Sequence, residues 1–158
     1  MSFSAETVLA VIDALNEAGC WRTIDGGWGV DALTGHQTRD HEDLDLVVRL
    51  DQIGAVLEAL DGLDFSLDLD QRPCSGETSG RPLGGPPPGR VRFHGHGWQR
   101  GARADGSDCP YPPDGFSKGT IAGRTVPCLS AALQIAHHQG YEPDDKDRHD
   151  LELLCTVH

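Results

Sequence analysis

The sequence predicts an α/β (α+β) chain, a small mixed β-sheet with flanking helices. Three observations carry that prediction. Some stretches space their apolar residues at helical intervals, others alternate them like strands, and the two kinds follow one another along the chain, punctuated by glycines and capping residues. With 158 residues, 37% of them hydrophobic, the chain is large enough to bury a core of its own.

The elements follow in order. Residues 5–18, AETVLAVIDALNEA, place Val8, Leu9, Ile12 and Leu15 on one helical face, and Gly19 supplies the stop. WRTID, residues 21–25, reads as a short strand running into Gly26 and Gly27, and GVDALTG makes a brief helix closed by Gly35. LDLVVRL, residues 44–50, is the next strand. Asp51 is placed to cap DQIGAVLEAL, in which Ile53, Val56, Leu57 and Leu60 line one face, and LDFSLDL then alternates like a half-buried strand.

From 73 to 106 the chain is dense in Gly, Pro and Arg and has almost no apolar periodicity, so it reads as an irregular segment that buries too little surface to offset its ordering entropy. Order returns at TIAGRTVPCL, two β-like runs around Gly123 that form a hairpin. Ser130 caps the helix LSAALQIAHHQ, ended by Gly140. Pro143, Asp144 and Asp145 open a last helix through KDRHDLELL, giving a C-terminal helical part over residues 130–155.

Thirteen basic against 25 acidic residues give a formal charge of -12, which opposes a grip on nucleic acid and suits a cationic small-molecule partner. No apolar stretch approaches the roughly 20 residues that span a bilayer, and no basic leader opens the chain, so no membrane partner and a cytoplasmic location are expected. Cys20, Cys74, Cys109, Cys128 and Cys155 include no C-x-x-C pair and read as structural thiols.

The chemistry concentrates between residues 26 and 45. Asp43 and Asp45 share one face of a strand, and two such carboxylates repel unless a cation sits between them, a role that suits a hard, oxygen-liganded Mg²⁺. A lone D-x-D is commonly just a solvated strand start. Here it is preceded by Gly26 and Gly27 between a strand and a helix, where backbone N–H groups can hold a phosphate. The combination is a device for positioning a nucleoside triphosphate and its metal. Arg39 offers a fork for phosphate oxygens, with a surface salt bridge to Asp40 or Glu42 as the alternative. Asp31 and His41 either line the site or are ordinary surface residues. His94, His96, His137 and His138 lack zinc-like spacing and read as exposed or helix-capping residues.

The run GGWGVDALTGHQTRDHEDLDLVV resembles the signature of the small antibiotic nucleotidyltransferases of the DNA polymerase β superfamily, in particular the aminoglycoside-2''-adenylyltransferase and lincosamide nucleotidyltransferase group. Gly26, Gly27, Trp28, Asp31, Gly35, Arg39, His41, Asp43 and Asp45 all fall in register. YPPDGFSKGTIAGRTVPCLS and HHQGYEPDDKDRHDLELL are similar to the C-terminal half of the same family. The likeness covers about residues 20–70 and 108–154.

This resemblance implies a polymerase-β-type nucleotidyltransferase core in a single domain over residues 1–158. It makes Asp43 and Asp45 catalytic and metal-binding, and Gly26, Gly27 and Arg39 nucleotide-binding, with Mg²⁺ as cofactor and ATP or another NTP as co-substrate. The implied reaction is attack of a hydroxyl on the α-phosphorus, moving a nucleoside monophosphate, AMP, to an aminoglycoside- or lincosamide-like molecule. Lys146 and Asp147 match the family's final helix, where packing and capping explain them.

The family's third carboxylate, in a V-D-x-H-P-V type run, falls here inside the Gly/Pro-rich segment. The sheet is therefore expected to lack a strand and the site a ligand, with activity well below that of an intact relative. Codons for the residues from Gly84 to Arg90 can be chosen so that the shifted frame spells V-D-L-H-P-V, which reads as a local frameshift over about 73–95. The alternative function is a catalytically inactive nucleotide-binding or protein-interaction module of the same fold.

Overall fold

Helix α1 (Ala5–Glu17) opens where Ser4 Oγ accepts the Thr7 N–H at 3.1 Å, and it buries Val8, Leu9, Val11, Ile12 and Leu15. The computed structural model describes residues 3–49, 52–61, 63, 66–70, 90–96, 101–102, 108–109, 113–138 and 142–157. In 66–70, 90–96, 101–102 and 108–109 the strand backbone alone is described. After α1 come β1 (Arg22–Asp25), α2 (Gly26–Thr34), β2 (Asp43–Arg49), α3 (Ile53–Leu60), β3 (Ser66–Asp70) and β4 (Arg90–His96). Then follow β5 (Gly101–Ala102), β6 (Asp108–Cys109), β7 (Phe116–Ile121), β8 (Arg124–Leu129), α4 (Ala131–His137) and α5 (Asp145–Thr156).

Six strands form one mixed sheet in the order β3-β4-β2-β1-β8-β7, and β5 with β6 forms a small separate ladder. Strand β2 lies between an antiparallel β1 and a parallel β4. Its alternation sorts the two faces: Leu44, Leu46 and Val48 join the cluster built by α1 and α3, with Val8, Ile12, Leu15, Val56 and Leu60. Val47 packs the other way, with Leu129 and with Leu133 of α4. Val30 of α2, Ala131 of α4 and Leu154 of α5 close a further cluster.

The β7–β8 hairpin turns through Ala122 at φ +47° and Gly123 at φ +80°, the two positive values that a tight hairpin requires. Ser130 Oγ caps α4 by accepting the Leu133 N–H at 3.2 Å. Asp144 and Asp147 form a reciprocal capping box at the start of α5. The Asp147 N–H holds the Asp144 carboxyl below its ordinary range, so this cap is fully formed near neutral pH and fades as acid protonates it.

Four expectations are corrected. Helix α2 begins at Gly26, not three residues later, because Asp25 Oδ1 accepts the Gly26 N–H at 2.7 Å and starts the helix there. Gln52, with no side-chain capping bond, precedes α3, and Leu57 is 42% exposed, whereas Val56 and Leu60 are buried and Ile53 and Ala59 pack partly against the core. The stretch from 73 to 106 is not wholly irregular. Its residues 90–96 form β4, seven residues paired with β2 on one side and five with β3 on the other, so the sheet has the strand it was expected to lack. Backbone pairing on two sides there outweighs an unpromising composition. Asp51, residues 73–89, Trp98, Tyr111, Gly140 and Tyr141 lie outside the described residues, as does most of the span assigned to the frameshift.

Among the described residues no helix is long and apolar enough to cross a membrane. Cys20 and Cys128 are buried free thiols, whereas Cys155 is exposed. Burial pushes the Cys128 thiol up to about 12. At pH 8 iodoacetamide is therefore expected to modify Cys155 in the folded protein while Cys128 reacts only after unfolding; peptide mapping checks this, and equal labelling contradicts it. Leu46, fully buried at the centre of the sheet, gives a second check. Leu46→Ala is expected to cost about 2–5 kcal/mol in urea unfolding, and a loss well under about 1 kcal/mol contradicts its central place.

Candidate active site

The burial of Leu44 and Leu46 against α1 and α3 leaves Asp43 and Asp45 together, half-buried, on the face of β2 that looks toward α4. Antiparallel pairing sets Asp25 directly opposite Asp45 on the neighbouring strand. Immediately after Asp25 the chain turns into α2 through Gly26 at φ +63°. A Cβ on Gly26 would stand 2.5 Å from Asp45 Oδ2, so both the backbone angle and the space demand glycine there. The Gly26 N–H is already engaged by Asp25, which removes it from the N–H groups expected to hold a phosphate. Asp25 Oδ2 also lies 3.6 Å from His137 Nδ1, so this histidine of α4 reaches the strand end rather than standing exposed.

A hard divalent cation fits the donors present. Asp43 and Asp45 offer carboxylate oxygens from one edge of one strand, and the missing Cβ of Gly26 makes room for the Asp45 carboxylate. Among the described residues no group of three or more His, Cys, Asp or Glu is placed to hold a metal. The register of β4 sharpens this point, because Arg90 is the partner of Asp43 and Arg92 the partner of Asp45. Arginine positions therefore stand in backbone register with both aspartates.

Gly27 faces a second group. A Cβ there would collide with the ring of His41 and lie 2.7 Å from Arg39 Nη2. Asp31 and His41 are each only 2% exposed, so neither is an ordinary surface residue. Asp31 Oδ2 meets His41 Nε2 at 2.5 Å, while Asp31 Oδ1 accepts the Thr38 N–H at 3.1 Å and the Thr38 hydroxyl at 2.6 Å. The His41 ring also packs on Trp28, with centroids 4.9 Å apart. The two residues thus fold the loop between α2 and β2 back onto the start of α2.

Arg39 pairs with neither Asp40 nor Glu42 through its fork. Its Nε and Nη2 donate to the two carboxylate oxygens of Asp150 on α5 at 3.1 and 2.8 Å, and Nη1 donates to the Asp40 carbonyl at 3.3 Å. Burial works against the Arg39 charge, but the Asp150 hydrogen bonds and the charges of Asp150, Asp31 and Asp43 outweigh it and raise its pKa. Asp25, Thr38, His149 and Asp150 carry no assigned role in the sequence pattern. Asp25 had a signal, since an aspartate directly before a helix-opening Gly-Gly is a capping residue. A bond spanning 111 residues, such as Arg39–Asp150, leaves no trace in spacing.

The family model for aminoglycoside-2''-adenylyltransferase matches residues 7–154. A lincosamide resistance protein of Staphylococcus haemolyticus is 28% identical over 134 residues, covering 85% of this chain and 83% of that protein. The fold is shared with the lincosamide antibiotic adenylyltransferase LnuA in its lincomycin-bound form, at 23% identity and TM-score 0.81 over the whole of both chains. It is also shared with ANT(2'')-Ia in complex with adenylyl-2''-tobramycin, at 21% identity and TM-score 0.63 over 96% of this chain and 87% of that one. With 148 consecutive positions covered, counted from 7 through 154, the chain belongs to the aminoglycoside-2''-adenylyltransferase family of antibiotic nucleotidyltransferases.

Proposed function

We propose that this protein transfers a nucleoside monophosphate, AMP, from Mg·ATP to a hydroxyl of an aminoglycoside- or lincosamide-like molecule, and that it does so in the cytoplasm as a single 158-residue domain. The observation that carries the reading is the Asp43–Asp45 pair on one strand face beside the glycine turn at Gly26. Asp43 and Asp45 hold the Mg²⁺, which when bound neutralises charge developing on the phosphate oxygens. Gly26 and Gly27 let the triphosphate approach the backbone. The acidic surface, with a formal charge of -12, draws in an acceptor whose amines are protonated; this favours an aminoglycoside over a lincosamide.

The same site supports slow turnover. A metal held by two carboxylates, with arginine positions in register beside both, is held less tightly than one with a third acidic ligand. That observation also favours the second reading, an inactive module of the same fold that binds nucleotide or a partner protein.

Incubation with aminoglycosides and lincosamides in turn, each with Mg·ATP and the other Mg·NTPs, followed by mass detection, is expected to yield a nucleotide adduct at low turnover. Rates equal to an intact relative contradict the impairment, and no adduct with any pair supports the inactive module. In an active preparation Asp45→Asn is expected to reduce turnover at least ~10²-fold, the scale of losing one electrostatic contact to a transition state. Retained turnover removes Asp45 from the chemistry. Gly26→Ala is expected to lower both the melting temperature and turnover, because the new methyl strains φ +63° and displaces Asp45; a silent Gly26→Ala contradicts the close approach.

A further inference from the structure

We infer that α5 is a positioning element for the active site, and that Asp150 and His149 act on Asp43 and Asp45 through the loop that leads into β2. Two adjacent residues of α5 hold two adjacent residues of that loop. His149 Nε2 lies 3.1 Å from Thr38 Oγ1, and Asp150 takes the Arg39 fork on both its oxygens. Both rungs span the same 111 residues, so the loop and the helix are stitched in one register.

From these rungs the bonds run inward. Thr38 gives its N–H and hydroxyl to Asp31, and Asp31 meets His41, only two residues before Asp43. The Phe3 N–H donates to the His41 carbonyl at 2.7 Å, fixing the same residue from the chain's start. Gly27 packs against both His41 and Arg39, so the turn and the strand entrance share one support.

The chemistry of Arg39 points the same way. The edge of a guanidinium best suited to two phosphate oxygens is the one carrying Nε and an Nη, and here that edge is committed to Asp150. Asp150 is 5% exposed and Arg39 23% exposed on their side chains, so exchanging this partner for a phosphate would strand a buried carboxylate. Arg39 is thus a positioning residue rather than the phosphate contact that its type suggested.

The inference rests in part on the proposed function, and its test separates the two. Asp150→Asn, Arg39→Gln and the double variant are compared by amide hydrogen exchange over residues 41–45, by Mg·ATP affinity and by turnover. Asp150→Asn alone is expected to lower protection over 41–45 at least about tenfold. Asp150→Asn and Arg39→Gln are expected to weaken Mg·ATP binding to a similar degree, with the double variant no worse than either, because both remove one interaction. The inference is overturned if Asp150→Asn leaves exchange and Mg·ATP affinity unchanged while Arg39→Gln weakens Mg·ATP binding ~10²-fold, the behaviour of a direct phosphate contact.

Should Asp150→Asn fail to fold, Thr38→Val carries the same readouts. Thr38→Ser, which keeps the hydroxyl, is expected to restore wild-type exchange, and failure of that rescue overturns the inference. Altered exchange with no transfer by the wild-type protein sustains the positioning role and rejects the transferase reading alone.

Discussion

The register of β2 is the constraint on which the rest depends. Seven residues must bury Leu44, Leu46 and Val48 against α1 and α3, and the pleat then delivers Asp43 and Asp45 to the opposite face. A slip of one residue would drive both carboxylates into the apolar cluster, at a cost that no other pairing in the sheet offsets. The core that holds the sheet together and the face that carries the acidic pair are therefore two consequences of one alternation. Pairing with β1 adds the third feature, because Asp25 opposite Asp45 ends the strand where Gly26 begins the helix. Packing, helix capping and close approach converge at that corner.

Around the corner, polar side chains take over from apolar ones. Asp31, Thr38, His41 and Trp28 pack the loop between α2 and β2, although Trp28 Nε1 has no hydrogen-bond partner among the described residues. Buried polar contacts of this kind fix orientation more than they add stability. That is what a site built from two carboxylates on a strand edge requires, since small displacements of metal-binding oxygens are costly to chemistry. On the other side of β2 the backbone register pairs Arg90 with Asp43 and Arg92 with Asp45.

Much of the fold was legible because local rules and tertiary demands agreed. The apolar stripe of α1, the Ser130 and Asp144 caps and the turn at Gly123 are each written within a few residues. The edge of legibility is marked by β4, whose glycine- and arginine-rich sequence has little strand character and is held by neighbours on both sides. Leu57 sits at a core-like spacing but is exposed, whereas Val56 and Leu60 are buried. In the candidate site the D-x-D face and the glycine turn followed from pattern alone. The burial of Asp31 and His41 and the pairing of Arg39 with Asp150 did not, because each depends on a partner brought close only by the finished fold.

Family membership points to nucleotidyl transfer, and the acidic pair of β2 is where we propose that chemistry on this chain. The most direct measurement is anomalous diffraction from crystals grown with Mn²⁺ and a non-hydrolysable ATP analogue. The account predicts a manganese peak bridged by the carboxylates of Asp43 and Asp45, with the analogue's phosphates beside Gly26 and Gly27. A nucleotide bound elsewhere, or bound at that corner with no metal between the two aspartates, would contradict it.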